Sequence, residues 1–183
     1  EPYRIIIDLD RNTARTTASA DGERRPLRVL VLDPGHGGDD FGARYQGQKE
    51  ALLVLDITRR VGGILERRLP NTKVVQTRTK DVMVSLEQRV AFANAVGADA
   101  FVSIHLNAAD EPVERGGVAT FILDTNNDRQ AVRLAARENG TSSRDVSELQ
   151  RLLAGIHRKE QVDLAPHLAT LVQTGPLTAA RRE

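Results

Sequence analysis

The chain has 183 residues, no cysteine and a formal net charge of +1 at pH 7, and 40% of its residues are hydrophobic. This size and apolar content suit one globular domain, while the near-zero charge argues against the basic field that dominates nucleic-acid binding. Without cysteine, disulfides and thiolate metal sites are excluded, so imidazole and carboxylate groups are the metal ligands available.

The first predicted element is a strand over residues 3–9, YRIIIDL, followed by a polar connection or hairpin over residues 10–26. We therefore divide the chain into an N-terminal strand and polar connection, residues 1–26, and a main domain, residues 27–183. The first strand either pairs with an edge of the main sheet or is the remnant of a preceding domain, and the sequence does not decide between the two.

A second strand is predicted at residues 29–32, a short β-branched run typical of a strand covered on both faces. Asp33-Pro34-Gly35 ends it, so His36 lies in a glycine-rich loop at a carboxyl strand end, where open α/β sheets bind their ligands. A single histidine in such a loop is more often a turn residue or an anion contact than a metal ligand.

Glu50 precedes a segment with apolar residues at helical spacing, which predicts a helix over residues 51–69. The glutamate then lies at the N-terminus of this helix. Taken alone, it is explained as an acidic first-turn residue that complements the helix dipole.

Three further elements follow: a strand at residues 73–76, a helix at 86–96 and a buried strand at 100–104. Ser85 and Gln88 form a capping box for the helix. His105 ends the last strand and is followed by a polar stop from Asn107 onward. If the strands that lead to His36 and His105 are parallel neighbours, both histidines and Glu50 can meet above the sheet.

The alternation of strands and helices predicts an α/β fold with a single domain, in which a mainly parallel or mixed twisted sheet carries helices on both faces. Two histidines and one glutamate at its carboxyl edge would make a catalytic zinc set with an open fourth position. No apolar run approaches the ~18 residues of a membrane-spanning helix, so no membrane span is expected.

Several short motifs between residues 29 and 123 share one order and spacing with a known family. They are DPGHGG at 33–38, GA at 42–43, GQKE at 47–50, TR at 77–78, LEQRVAFAN at 86–94, AD at 98–99, SIHLNA at 103–108 and GGV at 116–118. In these motifs the chain resembles the zinc-dependent N-acetylmuramoyl-L-alanine amidases of bacterial cell walls.

The resemblance implies Zn²⁺ as cofactor, with His36, Glu50 and His105 as its ligands and Asn107 as a substrate-orienting residue. It implies peptidoglycan as substrate, cut at the amide between the lactyl group of N-acetylmuramic acid and the L-alanine of the stem peptide. Wall remodelling or daughter-cell separation, export to the periplasm or cell envelope and, as in some relatives, an activator protein follow from the same resemblance. Arg89 and Asn94 recur in the family pattern and are interpreted as structural.

The chain departs from the family pattern after a predicted strand at residues 117–123. The family places a general-base glutamate on a late strand, whereas residues 129–137, 147–156 and 164–181 predict helices. We therefore expect that glutamate beyond the end of this chain and leave the catalytic base unassigned. Residues 138–166 lie where some relatives carry a helix that covers the zinc site, but an ordinary core-facing helix is the favoured explanation of their apolar stripe.

Two alternatives belong to other functional classes. The first is a catalytically silent, zinc-bearing domain that binds peptidoglycan or regulates another enzyme, which a missing glutamate would favour. The second is a metal-free domain that binds an anion through the loop 33–38. That loop lacks the lysine and hydroxyl residue of a P-loop and the full spacing of a dinucleotide-binding fingerprint.

Overall fold

The computed structural model describes residues 4–11, 27–107, 117–122 and 168–173. Residues 168–173 are helical, within the helix predicted for 164–181. The helices predicted at 129–137 and 147–156 and the covering segment at 138–166 lie outside the described residues.

Seven strands and two longer helices make up the described fold. In chain order they are β1 (Arg4–Arg11), β2 (Val29–Pro34), β3 (Arg44–Tyr45), β4 (Gln48–Lys49), α1 (Glu50–Arg68), β5 (Lys73–Gln76), α2 (Leu86–Ala95), β6 (Ala100–Asn107) and β7 (Gly117–Ile122).

The main sheet has five strands in the order β5-β2-β6-β1-β7. β2 pairs in parallel with both β5 and β6, while β1 is antiparallel to β6 and parallel to β7. The sheet is therefore mixed. The strands that lead to His36 and His105, β2 and β6, are parallel neighbours, which is the condition stated above for the three residues to meet. The small hairpin β3-β4 is separate from this sheet and directly precedes α1.

The N-terminal strand is inside the main sheet and not at its edge. β1 spans Arg4–Arg11, two residues further along the chain than the predicted end at Leu9, and it lies between β6 and β7. Its pairing reaches Arg4 opposite Asn107, so β6 continues past the predicted end of its buried run at Ile104. Pairing with β1 satisfies the backbone groups of these extra residues, and His105 consequently lies within β6.

Helices pack on both faces of the sheet, as predicted. Because successive strand residues point to opposite faces, Leu30 and Leu32 of β2 join one apolar cluster and Val31 joins another. The first cluster includes Val54 of α1, and the second includes Ala93 of α2. The two faces of β2 are thus both covered, which agrees with its continuous apolar sequence.

Both helices begin within one residue of their predicted starts, at 51 for α1 and at 86 for α2. α1 starts at Glu50 and ends at Arg68, with basic residues in its last turn. α2 starts after Ser85, whose Oγ accepts from the backbone N–H of Gln88 while the Gln88 side chain accepts from the backbone N–H of Ser85. Neither helix, nor any other within the described ranges, is long and apolar enough to cross a bilayer.

We expect Ser85→Ala to lower the free energy of unfolding by about 1 kcal/mol, because it removes the acceptor for the first-turn N–H of α2. Urea denaturation followed by circular dichroism measures this change. Ser85→Thr is the matched control, since threonine keeps a hydroxyl that can accept from Gln88 and donate to Glu87, and it should lose much less stability than alanine. Equal losses for both variants would contradict a capping role.

Candidate metal centre

Three ligand atoms converge at the carboxyl edge of the sheet. Nε2 of His36, Oε1 of Glu50 and Nδ1 of His105 are each 3.2 Å from the other two. All three residues are buried, with exposed fractions of 8%, 3% and 4%. The structure therefore brings together the three residues that the sequence singled out as metal ligands.

This triangle fits a zinc ion. Ligands of a tetrahedral zinc with bond lengths of about 2.0 to 2.1 Å lie about 3.3 Å apart, close to the separations in this site. Two imidazole nitrogens and one carboxylate oxygen also match the ligand types that catalytic zinc sites use. Three electron-pair donors pointing at one buried position repel each other unless a cation or shared protons lie between them.

The fold positions each ligand from a different element. β2 and β6 are parallel with Pro34 opposite Ile104, and His36 and His105 come two residues and one residue after this pair. Glu50 is the first residue of α1, and its backbone N–H donates to the carbonyl of Ala43 at 2.9 Å. Strand pairing and the start of one helix therefore suffice to assemble the site.

The loop that carries His36 has an unusual backbone. His36 has φ of +58°, a left-handed conformation that residues with a Cβ adopt rarely. Its Nδ1 lies 2.9 Å from Oδ2 of Asp40, so an Nδ1–H donor would leave Nε2 facing the other two ligands. A carboxylate that binds the second nitrogen of a ligating histidine fixes its tautomer and orientation.

The Glu50 carboxylate is held from both sides by the backbone. Oε1 accepts the N–H of Leu106 and Oε2 accepts the N–H of Ala43, each at 2.8 Å. Burial works to raise the pKa of Glu50, but hydrogen bonding to His105 and His36 and the charges on those rings outweigh it. The pKa therefore lies well below its usual range, and the carboxylate is ionised.

Two buried arginines fix the backbone of the histidine loop. Arg89 donates to the carbonyls of Pro34 and His36 at 3.0 and 2.9 Å. Arg78 donates to the carbonyls of Pro34 and Gly35 at 3.0 and 2.6 Å. Burial and the nearby charge of Arg89 lower the pKa of Arg78, although an arginine still carries its charge at neutral pH.

Three N–H groups of the loop are already used within the protein. The N–H of Gly35 donates to Ile104, that of Gly37 to the carbonyl of Asp40, and that of Gly38 to the carboxylate of Asp81. An anion-binding loop needs such groups free to point at its ligand. The metal-free alternative, in which residues 33–38 bind an anion, is therefore not supported.

Comparison with known protein families identifies the family of this chain. The Amidase_3 family, described as N-acetylmuramoyl-L-alanine amidase, matches residues 30–172. The chain belongs to this family. The matched range begins one residue into β2 and includes all three ligands of the candidate metal centre.

Individual relatives with the same name match this chain over part of their length. The amidase AmiC of Escherichia coli O6:H1 is 42% identical over 106 residues, which are 57% of this chain and 24% of that protein. AmiC of Neisseria meningitidis serogroup B is 42% identical over 119 residues, 64% of this chain and 27% of that protein. The chain thus spans about a quarter of the length of these two relatives.

Among solved structures, the amidase AmiC2 of Nostoc punctiforme is 27% identical with a TM-score of 0.45 and covers 71% of this chain and 98% of that chain. The catalytic domain of the amidase CwlV from Paenibacillus polymyxa is 37% identical with a TM-score of 0.44, covering 46% of this chain and 48% of that chain.

Two other residues of the family pattern, Arg89 and Asn107, lie outside the group of three candidate ligands. Arg89 is buried and bound to the histidine loop, in agreement with its interpretation as structural. Asn107 is the last residue of β6, two positions after His105, and its role in orienting substrate stays a prediction. Sequence reasoning did not assign a role to Asp40, although its position four residues after His36 in a glycine-rich loop was an available signal.

We expect Gly35→Ala to abolish stoichiometric zinc binding by the chain. A Cβ at residue 35 would lie 2.2 Å from Cε1 of His105, so the ligand ring would have to move. Elemental analysis after dialysis against zinc measures the effect. Gly63→Ala is the control, because its Cβ would lie 3.6 Å from the nearest atom, on Arg67, and alanine favours a helix interior. Full zinc content in Gly35→Ala would contradict the close contact.

We expect Asp40→Asn to weaken zinc binding by about 10- to 100-fold, as loss of a carboxylate partner of a ligating histidine does in other metal sites. Competition with a zinc chelator measures the affinity. Asp39→Asn removes an exposed neighbouring carboxylate and should leave the affinity within about twofold. Equal effects of the two substitutions would show that Asp40 acts through general charge and not through His36.

Proposed function

We propose that the chain carries the catalytic centre of a zinc-dependent N-acetylmuramoyl-L-alanine amidase. Its substrate is peptidoglycan, and the bond cut is the amide between the lactyl group of N-acetylmuramic acid and the L-alanine of the stem peptide. The observation that carries the proposal is the 3.2 Å triangle of His36, Glu50 and His105 in a member of the amidase family.

His36, Glu50 and His105 would hold the zinc ion. When bound, zinc supplies Lewis-acid chemistry, since it polarises an amide carbonyl and lowers the pKa of water. The protein contributes fixed geometry: Asp40 orients His36, and backbone N–H groups of Ala43 and Leu106 orient Glu50. Prepositioned ligands lower the reorganisation that the reaction would otherwise need.

Proton transfer requires a further group. Both oxygens of Glu50 accept backbone hydrogen bonds and its pKa is lowered, so it is unsuited to take up and release a proton at neutral pH. Asp40 is engaged with His36. The family resemblance predicts a glutamate on a late strand for this role, and that assignment stays a prediction.

The biological setting follows from the substrate. Peptidoglycan lies outside the cytoplasmic membrane, so the enzyme would act in the periplasm or cell envelope after export. Cutting stem peptides from the glycan strands would serve wall remodelling or separation of daughter cells. An activator protein is the partner that the family resemblance predicts besides peptidoglycan itself.

A second candidate is a silent zinc-bearing domain that binds peptidoglycan without cutting it. The observation that favours it concerns the two carboxylates described at the centre, within residues 27–107. Asp40 is hydrogen-bonded to His36, and both oxygens of Glu50 accept backbone hydrogen bonds. This candidate shares the metal and the ligand with the amidase and differs in turnover.

The two candidates are separated by measuring zinc content and release of stem peptide from purified peptidoglycan for the unaltered protein and for His105→Ala. We expect close to one zinc per chain and zinc-dependent peptide release, both lost in His105→Ala because one of three ligands is removed. His157→Ala is the matched control, because this histidine is outside the three residues that the resemblance implies as ligands, and it should retain both properties.

Zinc without peptide release would support the silent domain and overturn the amidase proposal for this chain. Absence of zinc from the unaltered protein, after dialysis against it, would overturn both candidates.

A further inference from the structure

A pair of basic residues shares one aromatic ring beside the metal centre. Cζ of Arg44 lies 4.3 Å from the ring centroid of Phe41, and Nζ of Lys49 lies 3.8 Å from the same centroid. These distances are within the range of cation–π attraction. Arg44 is exposed, and Phe41 and Lys49 are half-buried, so the group faces solvent. We call Phe41, Arg44 and Lys49 the basic cluster.

The basic cluster has no acidic counterpart within the described part of the chain. The structure gives Arg44 and Lys49 contacts with the Phe41 ring and no ion pair with a described carboxylate. Two like charges held on one ring repel each other, and the ring's attraction offsets this only in part. The cluster is therefore a site where an added anion would lower the electrostatic energy.

Lys49 is also an unusual residue for its position. It is the N-cap of α1 and makes no side-chain capping hydrogen bond. Serine, threonine, aspartate and asparagine are the residues that stabilise a helix at this position, and a cation there opposes the helix dipole. Such departures from local preference are typical of functional positions.

The basic cluster is tied to the metal centre through the backbone. The N–H of Ala51 donates to the carbonyl of Phe41 at 3.2 Å, and Lys49 directly precedes the ligand Glu50. A Cβ at Gly42 would lie 2.6 Å from both Oε2 of Glu50 and Cδ2 of His36. The segment that carries the basic cluster therefore borders the metal centre at Gly42.

We propose that Arg44 and Lys49, held on Phe41, bind a carboxylate of the stem peptide and thereby select acidic stem peptides. This inference rests on the proposed function and adds a specificity-determining subsite to it. A free peptide end is a carboxylate and acidic residues add others, so this substrate supplies the missing anion. A guanidinium binds carboxylates in a bidentate manner, and the lysine adds a second charge-assisted hydrogen bond.

The test compares two soluble muropeptides that are identical except that the carboxylates of one are converted to primary amides. For the double variant Arg44→Gln/Lys49→Gln we expect KM for the acidic muropeptide to rise about tenfold, with kcat unchanged and KM for the amidated one changed less than about twofold. The control Arg60→Gln/Arg67→Gln removes two exposed cations from later turns of α1 and should leave both KM values unchanged.

Three outcomes would overturn the inference: an equal rise of KM for both muropeptides, the same change in the control variant, or loss of zinc from the double variant. Lys49→Arg with Arg44 intact keeps both charges and should retain the preference for the acidic muropeptide. If the unaltered protein cleaves neither muropeptide, the proposed function fails. Calorimetric titration of the two muropeptides then tests the subsite by itself, and equal affinities would refute it.

Discussion

The buried carboxylate of Asp33 joins the elements on which the metal centre depends. It accepts hydrogen bonds from the guanidinium of Arg89 on α2, from Oγ1 of Thr77 after β5, and from Oγ of Ser103 on β6 at 2.8 Å. Removing one partner from a buried ion pair leaves an uncompensated charge and is strongly destabilising. This one side chain therefore couples the end of β2 to its two neighbouring strands and to a helix, just before His36.

Much of the candidate site could be predicted because its ligands follow strong local signals. An apolar run broken by Asp-Pro-Gly positioned His36, a helical pattern positioned Glu50, and a second buried run positioned His105. Whether the three side chains would meet depended on the order of the strands in the sheet, because local sequence does not specify which strands are neighbours. The parallel pairing of β2 with β6 supplied that condition.

The remaining features depend on long-range pairing or on backbone torsion. The apolar residues of β1 indicated a strand, but its place between β6 and β7 is decided by partners about a hundred residues away, which a local pattern does not encode. The left-handed backbone of His36 was equally hidden, because residues with a Cβ adopt it uncommonly and no local sequence pattern singles it out. Such conformations cost about 1 to 3 kcal/mol and persist where surrounding contacts hold them, here those of Asp40 and Arg89.

Because β6 has a neighbour on each side, its position along the strand axis is fixed twice. β2 pairs with it in parallel on one side and β1 pairs with it antiparallel on the other. A slip of one residue would turn His105 to the opposite face of the sheet, and a slip of two would restore the face but shift the ring by about 7 Å. Either slip would move the His105 ring by more than the 3.2 Å that separates the ligand atoms. The three ligands therefore meet only when β6 has its native register, and metal binding reports on correct strand pairing.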